Sequence, residues 1–217
     1  MCIRDSLYCA VKRSEGKVFK RNGKEYDRLA DHVGLIPLVI ISPADMSLII
    51  DGSDERRRYI NSVISQYDRT YLNQVIRYNK LLANRNRLLK DFATSGRFKQ
   101  DLLEVLDEQM SPLAQHIYGL RLEFTQSLIP IFQEHYAKIS GSGEAVTLQY
   151  QSHLAEGELI GLLRNSIDKD RMLQFTSVGV HKDDLILTLN GNPIKKEGSQ
   201  GQLKTLSLIH ISEPTRP

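Results

Sequence analysis

Two apolar stripes at helical spacing constrain this chain more than any other feature in it. Tyr71, Val75, Tyr78, Leu82 and Leu89 fall on one helical face, with Arg85 filling a seam position between the last two. After a polar break at Ala93-Thr94-Ser95-Gly96, Leu113, Ile117, Leu120, Phe124, Leu128 and Ile131 repeat the pattern. A stripe on each side of a short break favours two antiparallel helices that close face to face. Pro112 either kinks the second helix or starts a fresh one capped by Ser111. Ser140-Gly141-Ser142-Gly143 stops it. The rival use of the Tyr71 to Leu89 stripe is to hold a protein partner, as in a non-enzymatic scaffold of helical arms.

Around this arm the pattern is that of strands and short helices. Asn22-Gly23 and Asn190-Gly191 each sit between strand-like runs and signal type I′ hairpins. Leu35 to Ile41 reads as a buried strand ending at Ser42-Pro43, where a serine cap, a proline and Asp45 suit a helix start. Ser53 is a candidate cap for the next helix, with Asp54 and Glu55 in its first turn. Ala145 to Gln151 alternates like a strand, Glu158 to Asn165 carries a helical face, and Leu185 to Leu189 is a further strand. The fold class expected is mixed α/β: a head portion with a mixed sheet, interrupted by a helical-hairpin arm. The expected divisions are residues 7–50 and 141–205 for the head and 51–140 for the arm.

Composition excludes several function classes. Among 217 residues, 29 basic against 26 acidic leave a formal charge of +3, neither a basic tail nor an acidic solvating segment. No apolar run approaches the roughly 20 residues of a membrane-spanning helix, so no membrane partner is expected. Cys2 and Cys9 alone cannot build a disulfide framework, which points to a reducing, cytoplasmic setting. The ends, residues 1–6 and 206–217, resemble translated sequencing-adapter sequence, and the stretch between them reads as an internal segment.

Three constellations could carry chemistry. Gly198-Ser199-Gln200-Gly201-Gln202, with Lys204 just beyond, follows a strand and opens a helix. Glycines admit a ligand close to the backbone, Ser199 offers a hydroxyl, and the free amides of a helix start favour an anion. The plainer reading is a glycine-containing surface turn. Arg56, Arg57 and Arg58 open a stretch to Lys90 with seven arginines and two lysines against the single acid Asp68. Arg77, Lys80 and Arg85 belong to it. Such a stretch suits a phosphate backbone, or is simply a solvated face. Gly179-Val180-His181-Lys182-Asp183-Asp184 gathers a histidine and two carboxylates in one turn, but the other histidines are scattered singly, so a hydrogen-bonding turn is preferred to a metal site. No metal ligation is expected. Neither a nucleophile elbow nor Gly-x-x-x-x-Gly-Lys-Ser/Thr occurs, so the chain has no P-loop of its own.

Taken together and in order, these segments resemble the RecF family, recombination mediators among the ABC-type ATPases related to SMC proteins. The resemblance runs from Tyr8 to Thr205. It rests on Ser42-Pro43-Ala44-Asp45, Gly52-Ser53-Asp54-Glu55-Arg56-Arg57-Arg58-Tyr59-Ile60-Asn61, Arg77-Tyr78-Asn79-Lys80, Arg85-Asn86, His181-Lys182-Asp183-Asp184-Leu185 and Gly198 to Gln202. It implies an ABC-type head split by an arm, with Gly198, Ser199, Gln200, Gly201 and Gln202 as the signature motif. That motif, helped by Lys204, would contact the γ-phosphate of ATP held by a second copy, so that an ATP-dependent homodimer forms. It also implies DNA binding, at duplexes and single-strand/duplex junctions, by Arg56, Arg57, Arg58, Arg77, Lys80 and Arg85. RecR and RecO are the implied partners, RecA an indirect one, and a weak DNA-dependent ATPase the implied activity of the whole protein. His181, Lys182, Asp183 and Asp184 would form the turn beside the signature. Magnesium would accompany ATP, with its ligands outside this stretch. The P-loop should lie before Tyr8 and the Walker B acid beyond Thr205. Pro112 and Lys182 are mild departures from the pattern.

Overall fold

The computed structural model describes residues 6–12, 16–36, 47–50, 52–141 and 144–194. Strands β1 (Leu7–Lys12), β2 (Gly16–Arg21) and β3 (Lys24–Glu25) form one antiparallel sheet in that order. Asn22 and Gly23 both take positive φ, 53° and 81°, as a type I′ turn demands. The pairing of Leu7 with Arg21 and Lys12 with Gly16 adds a strand the sequence had not suggested.

Helices α1 (Ser47–Ile50), α2 (Ser53–Tyr67), α3 (Arg69–Ser95) and α4 (Gln100–Ser140) follow. Gly52, not Ser53, is the N-cap of α2, and Asp54 and Glu55 occupy its first turn. Asp68 ends α2 and caps α3, its carboxylate accepting from the Tyr71 amide at 2.8 Å. Left-handed Gly96 and Gly141 close α3 and α4, where a side chain would strain the backbone. Pro112 neither breaks α4 nor starts a new helix. It and Pro130 lie on the exposed side, where water can replace the missing N–H bond.

Helices α3 and α4 run antiparallel as the hairpin expected. Their shared seam buries Tyr71, Tyr78, Leu81 and Leu89 against Leu103, Met110, Ala114 and Ile117. Tyr71, Tyr78 and Leu89 of the stripe are thus enclosed by the chain's own packing, while Val75 and Leu82 stay half-buried. The second stripe drifts at its far end. Ile131 is 37% exposed, whereas Phe132 is 2% exposed. A straight helix turns about 20° per heptad away from a strict seven-residue repeat, which carries Phe132 and Tyr136 inward.

Strand β4 (Val146–Gln151) pairs with β5 (Asp184–Leu189), and β5 with β6 (Asn192–Pro193), through a second type I′ turn at Asn190 and Gly191. Helices α5 (Leu159–Asn165) and α6 (Ile167–Leu173) lie between β4 and β5. Alternation along β5 sends Leu185, Leu187 and Leu189 inward, where they join Ile60 and Ile64 of α2 and Phe124 and Phe132 of α4 in one core. Each such side chain stabilises by about 1.5–3 kcal/mol on full burial. The arm and the second sheet thus share a core.

Candidate functional site

The turn at 179–184 is the best-built polar feature among the described residues. Arg56, in the first turns of α2, forks onto Asp184: Nε donates to Oδ1 at 2.7 Å and Nη2 to Oδ2 at 3.1 Å, while Nη1 donates to the Leu48 carbonyl at 2.9 Å. A guanidinium meets a carboxylate in this planar way where lysine could not. Arg57 donates to the Asp183 carbonyl and to Asp54. Arg58 pairs with Glu55 and keeps 75% of its side chain exposed. Two of the three arginines therefore hold α2 to the entry of β5.

Arg121 of α4 holds the same turn from below. Its Nε donates to the Tyr71 hydroxyl, Nη1 to the Val180 carbonyl and to Asp183 Oδ2, and Nη2 to Asn61 Oδ1, at 2.5 to 3.0 Å. Tyr150 of β4 donates to Asp183 Oδ2 as well. Burial pushes the Asp183 carboxyl upward, and Arg121 opposes that shift. His181 links the turn to α3. Its Nε2 faces the Thr176 carbonyl at 3.0 Å, and a carbonyl can only accept, so the ring proton sits on Nε2 and Nδ1 accepts from Tyr78 at 3.0 Å. Burial lowers the His181 pKa to about 4, with the Thr176 bond opposing and Lys182 adding to the fall. This is the hydrogen-bonding turn expected from the sequence. No group of three metal-binding side chains exists among the described residues.

Arg85 does not lie on a surface. It is 0% exposed, donating to Asp107 at 2.7 Å, to Asp170 at 2.6 Å and to Thr176 at 3.0 Å. An arginine so enclosed cannot reach DNA, and the sequence expectation is corrected on that point: Arg85 ties the arm to α6. Arg77 and Lys80 are exposed. Lys182 is exposed and stands over the Phe175 ring. A cleft of about 230 Å³ opens between α2, α3, α4 and the turn, with Arg57, Arg58, Asn61, Tyr78, Asn79 and His181 among its walls. Val75, Tyr78 and Asn79 mark the side of α3 that faces it. The run Gly198 to Gln202, Lys204 and the segment Ser42 to Asp45 lie outside the described residues.

Arg121, Asp107, Asp170 and Tyr150 were missed by sequence reasoning. A signal existed for the first two: Arg121 and Asp107 sit at seam positions of α4, and a charge in an apolar stripe needs a buried partner.

Comparison with known proteins places this arrangement. No family model matches the chain. It is 50% identical over 201 residues to the DNA replication and repair protein RecF of Flavobacterium johnsoniae, covering 93% of this chain and 56% of that protein. Over nearly its whole length, then, the chain is similar to RecF proteins. The RecF protein of Phocaeicola vulgatus is 49% identical over 201 residues, of which this chain spans 53%. The chain thus spans about half the length of the curated relatives it matches. Among solved structures, one described as the recombination mediator protein RecF-ATP in the RecFOR pathway superposes with a TM-score of 0.86 at 30% identity, covering 94% of this chain and 57% of that one. The fold class is accordingly that of RecF: an ABC-ATPase-type head portion with small antiparallel sheets and an inserted helical hairpin.

Proposed function

We propose that this chain is the signature-bearing portion of an ATP-dependent protein of DNA replication and repair. In this reading Gly198, Ser199, Gln200, Gly201 and Gln202, with Lys204, close over the γ-phosphate of ATP and magnesium gripped by a second copy. ATP-dependent dimerisation then positions the heads on duplex DNA near single-strand junctions, and weak ATP hydrolysis releases them. RecR and RecO act with the dimer so that RecA is loaded, in the cytoplasm. Residues 7–50 and 141–205 serve as head and 51–140 as arm.

The observation that carries this reading is the fork of Arg56 on Asp184 together with Arg57 on the Asp183 carbonyl. It fixes the strand that leads through β6 to buried Ile194, four positions before Gly198. A signature motif must be presented rigidly to a nucleotide on another subunit, and this brace supplies the rigidity at its root. The names of the relatives, DNA replication and repair protein RecF, support the same assignment.

The test uses the chain joined to the flanking segments of the Flavobacterium johnsoniae relative. Ser199→Arg should abolish ATP-induced dimerisation, read by light scattering, while leaving nucleotide affinity of the monomer nearly unchanged. Dimerisation that survives the substitution would refute the role given to Ser199.

A further inference from the structure

We infer that the outer face of α3, where Arg77, Lys80 and Arg87 stand in one line with Asn73 and Asn84, is the surface that receives the phosphate backbone of duplex DNA, and that the arginines of α2 are not part of it. The inference rests on the DNA-directed reading above and locates its surface. Positions 73, 77, 80, 84 and 87 follow steps of four and three, which places them on one side of a helix. Asn73, Arg77, Lys80 and Arg87 are exposed and Asn84 is half-buried. Among the described residues, none of the three cations has an ion-pair or hydrogen-bond partner. From Arg69 to Lys90 the helix holds no acid. At 1.5 Å per residue, Arg77 to Arg87 spans about 15 Å, comparable to roughly four phosphates of one strand along a duplex axis.

Two further observations define the surface. Arg28 donates through Nη2 to Asn73 Oδ1 at 2.7 Å, so a fourth cation stands at the near end of the line. An amide partner leaves its charge uncancelled. Arg56 and Arg57, by contrast, are spent on Asp184, Asp183 and Asp54, and Arg58, though exposed, is paired with Glu55. Residues Val75, Tyr78 and Asn79, which face the cleft beside the α2 arginines, lie on the opposite side of α3 from Arg77 and Lys80. The cation-rich stretch therefore divides into a structural brace and a free face.

The chemistry favours a nucleic acid over an acidic protein. A protein interface centres on buried apolar anchors, and on α3 between Asn73 and Arg87 Ile76 alone among the described residues is a large exposed apolar side chain, at 48%. Cations alternating with amide donors meet what phosphate oxygens require, charge and hydrogen bonds without a dry centre.

The experiment measures binding of a fluorescent duplex by the 217-residue chain across a salt series. Replacing Arg77, Lys80 and Arg87 together by alanine should weaken binding at least tenfold at low salt. The slope of log affinity against log salt should flatten by about 2 to 3, since each phosphate contact contributes roughly 0.9. Arg77→Lys with Arg87→Lys should keep most of the slope, and Arg58→Ala should leave it unchanged. An unchanged slope in the alanine variant, no duplex binding by the unmodified chain at low salt, or displacement of the duplex by polyglutamate as readily as by unlabelled DNA would each overturn the placement. Ser199→Arg separates the two readings: if ATP-induced dimerisation depends on Ser199 while the slope ignores the α3 line, only this surface is wrong.

Discussion

His181 lies where the Tyr78 hydroxyl and the Thr176 carbonyl both reach one ring, and accepting from Tyr78 at Nδ1 requires a neutral imidazole. Its pKa falls from 6.5 to about 4, chiefly through burial. A histidine lowered on folding takes up protons more readily when unfolded, so its contribution is complete above pH 6.5 and is lost as pH falls toward 4. At about pH 5 the loss amounts to roughly 2 kcal/mol. Glutamine can donate to Thr176 but cannot titrate. His181→Gln should therefore leave stability at neutral pH within about 1 kcal/mol and flatten its decline on acidification. Urea midpoints at neutral pH and near pH 5 check this, and an equal acid loss in both proteins would exclude His181 as its source.

Among the elements, the turn that carries His181 has little room for change. Gly179 has φ of 125°, and a Cβ there would stand 2.6 Å from the Tyr78 hydroxyl and 3.2 Å from Leu159. Gly179→Ala should cost at least about 2 kcal/mol, from backbone strain and from the contact itself. Adding Tyr78→Phe removes the atom in the way and should return part of that loss. Thermal unfolding of the single and double variants measures it; a harmless single variant would mean the turn yields easily.

Elements of this kind differ in how much of them could be read beforehand. The two Asn-Gly hairpins were legible because few residue pairs tolerate consecutive positive φ, and Gly141 was legible as a helix stop for the same reason. The arm was legible from its apolar spacing. Strand β1 was not, since its exposed Tyr8 and Val11 give no one-sided pattern. The polar contacts within the arm were hidden by distance: Arg85 meets Asp107 and Asp170, 22 and 85 positions away, and no local periodicity announces such partners. Of the candidate site, the 179–184 turn was legible as a hydrogen-bonding turn. The role of Arg56 and Arg57 was not, because their acceptors arrive from β5 and its approach, more than 120 positions later.

Across the whole molecule, Arg121 is where the layers meet. Side chains or carbonyls of α2, α3, β4 and the turn before β5 converge on it or on its partner Asp183. Both members are almost fully enclosed, at 4% and 1% side-chain exposure. Methionine in place of Arg121 would fill much of the space but abandon a buried carboxylate. Arg121→Met should cost about 3–5 kcal/mol in urea unfolding. A loss under about 1 kcal/mol would show that Asp183 is satisfied without it.

Helix α4 has no interruption between Gln100 and Ser140, despite its two prolines, and at 1.5 Å per residue such a rod is about 60 Å long. Its far end closes on α3 and its near end leads, after Gly141, into β4. Force applied by anything gripping the hairpin tip is therefore transmitted as through a stiff lever, with no joint along the way to absorb it, and is delivered at the sheet that β4 forms with β5 and β6.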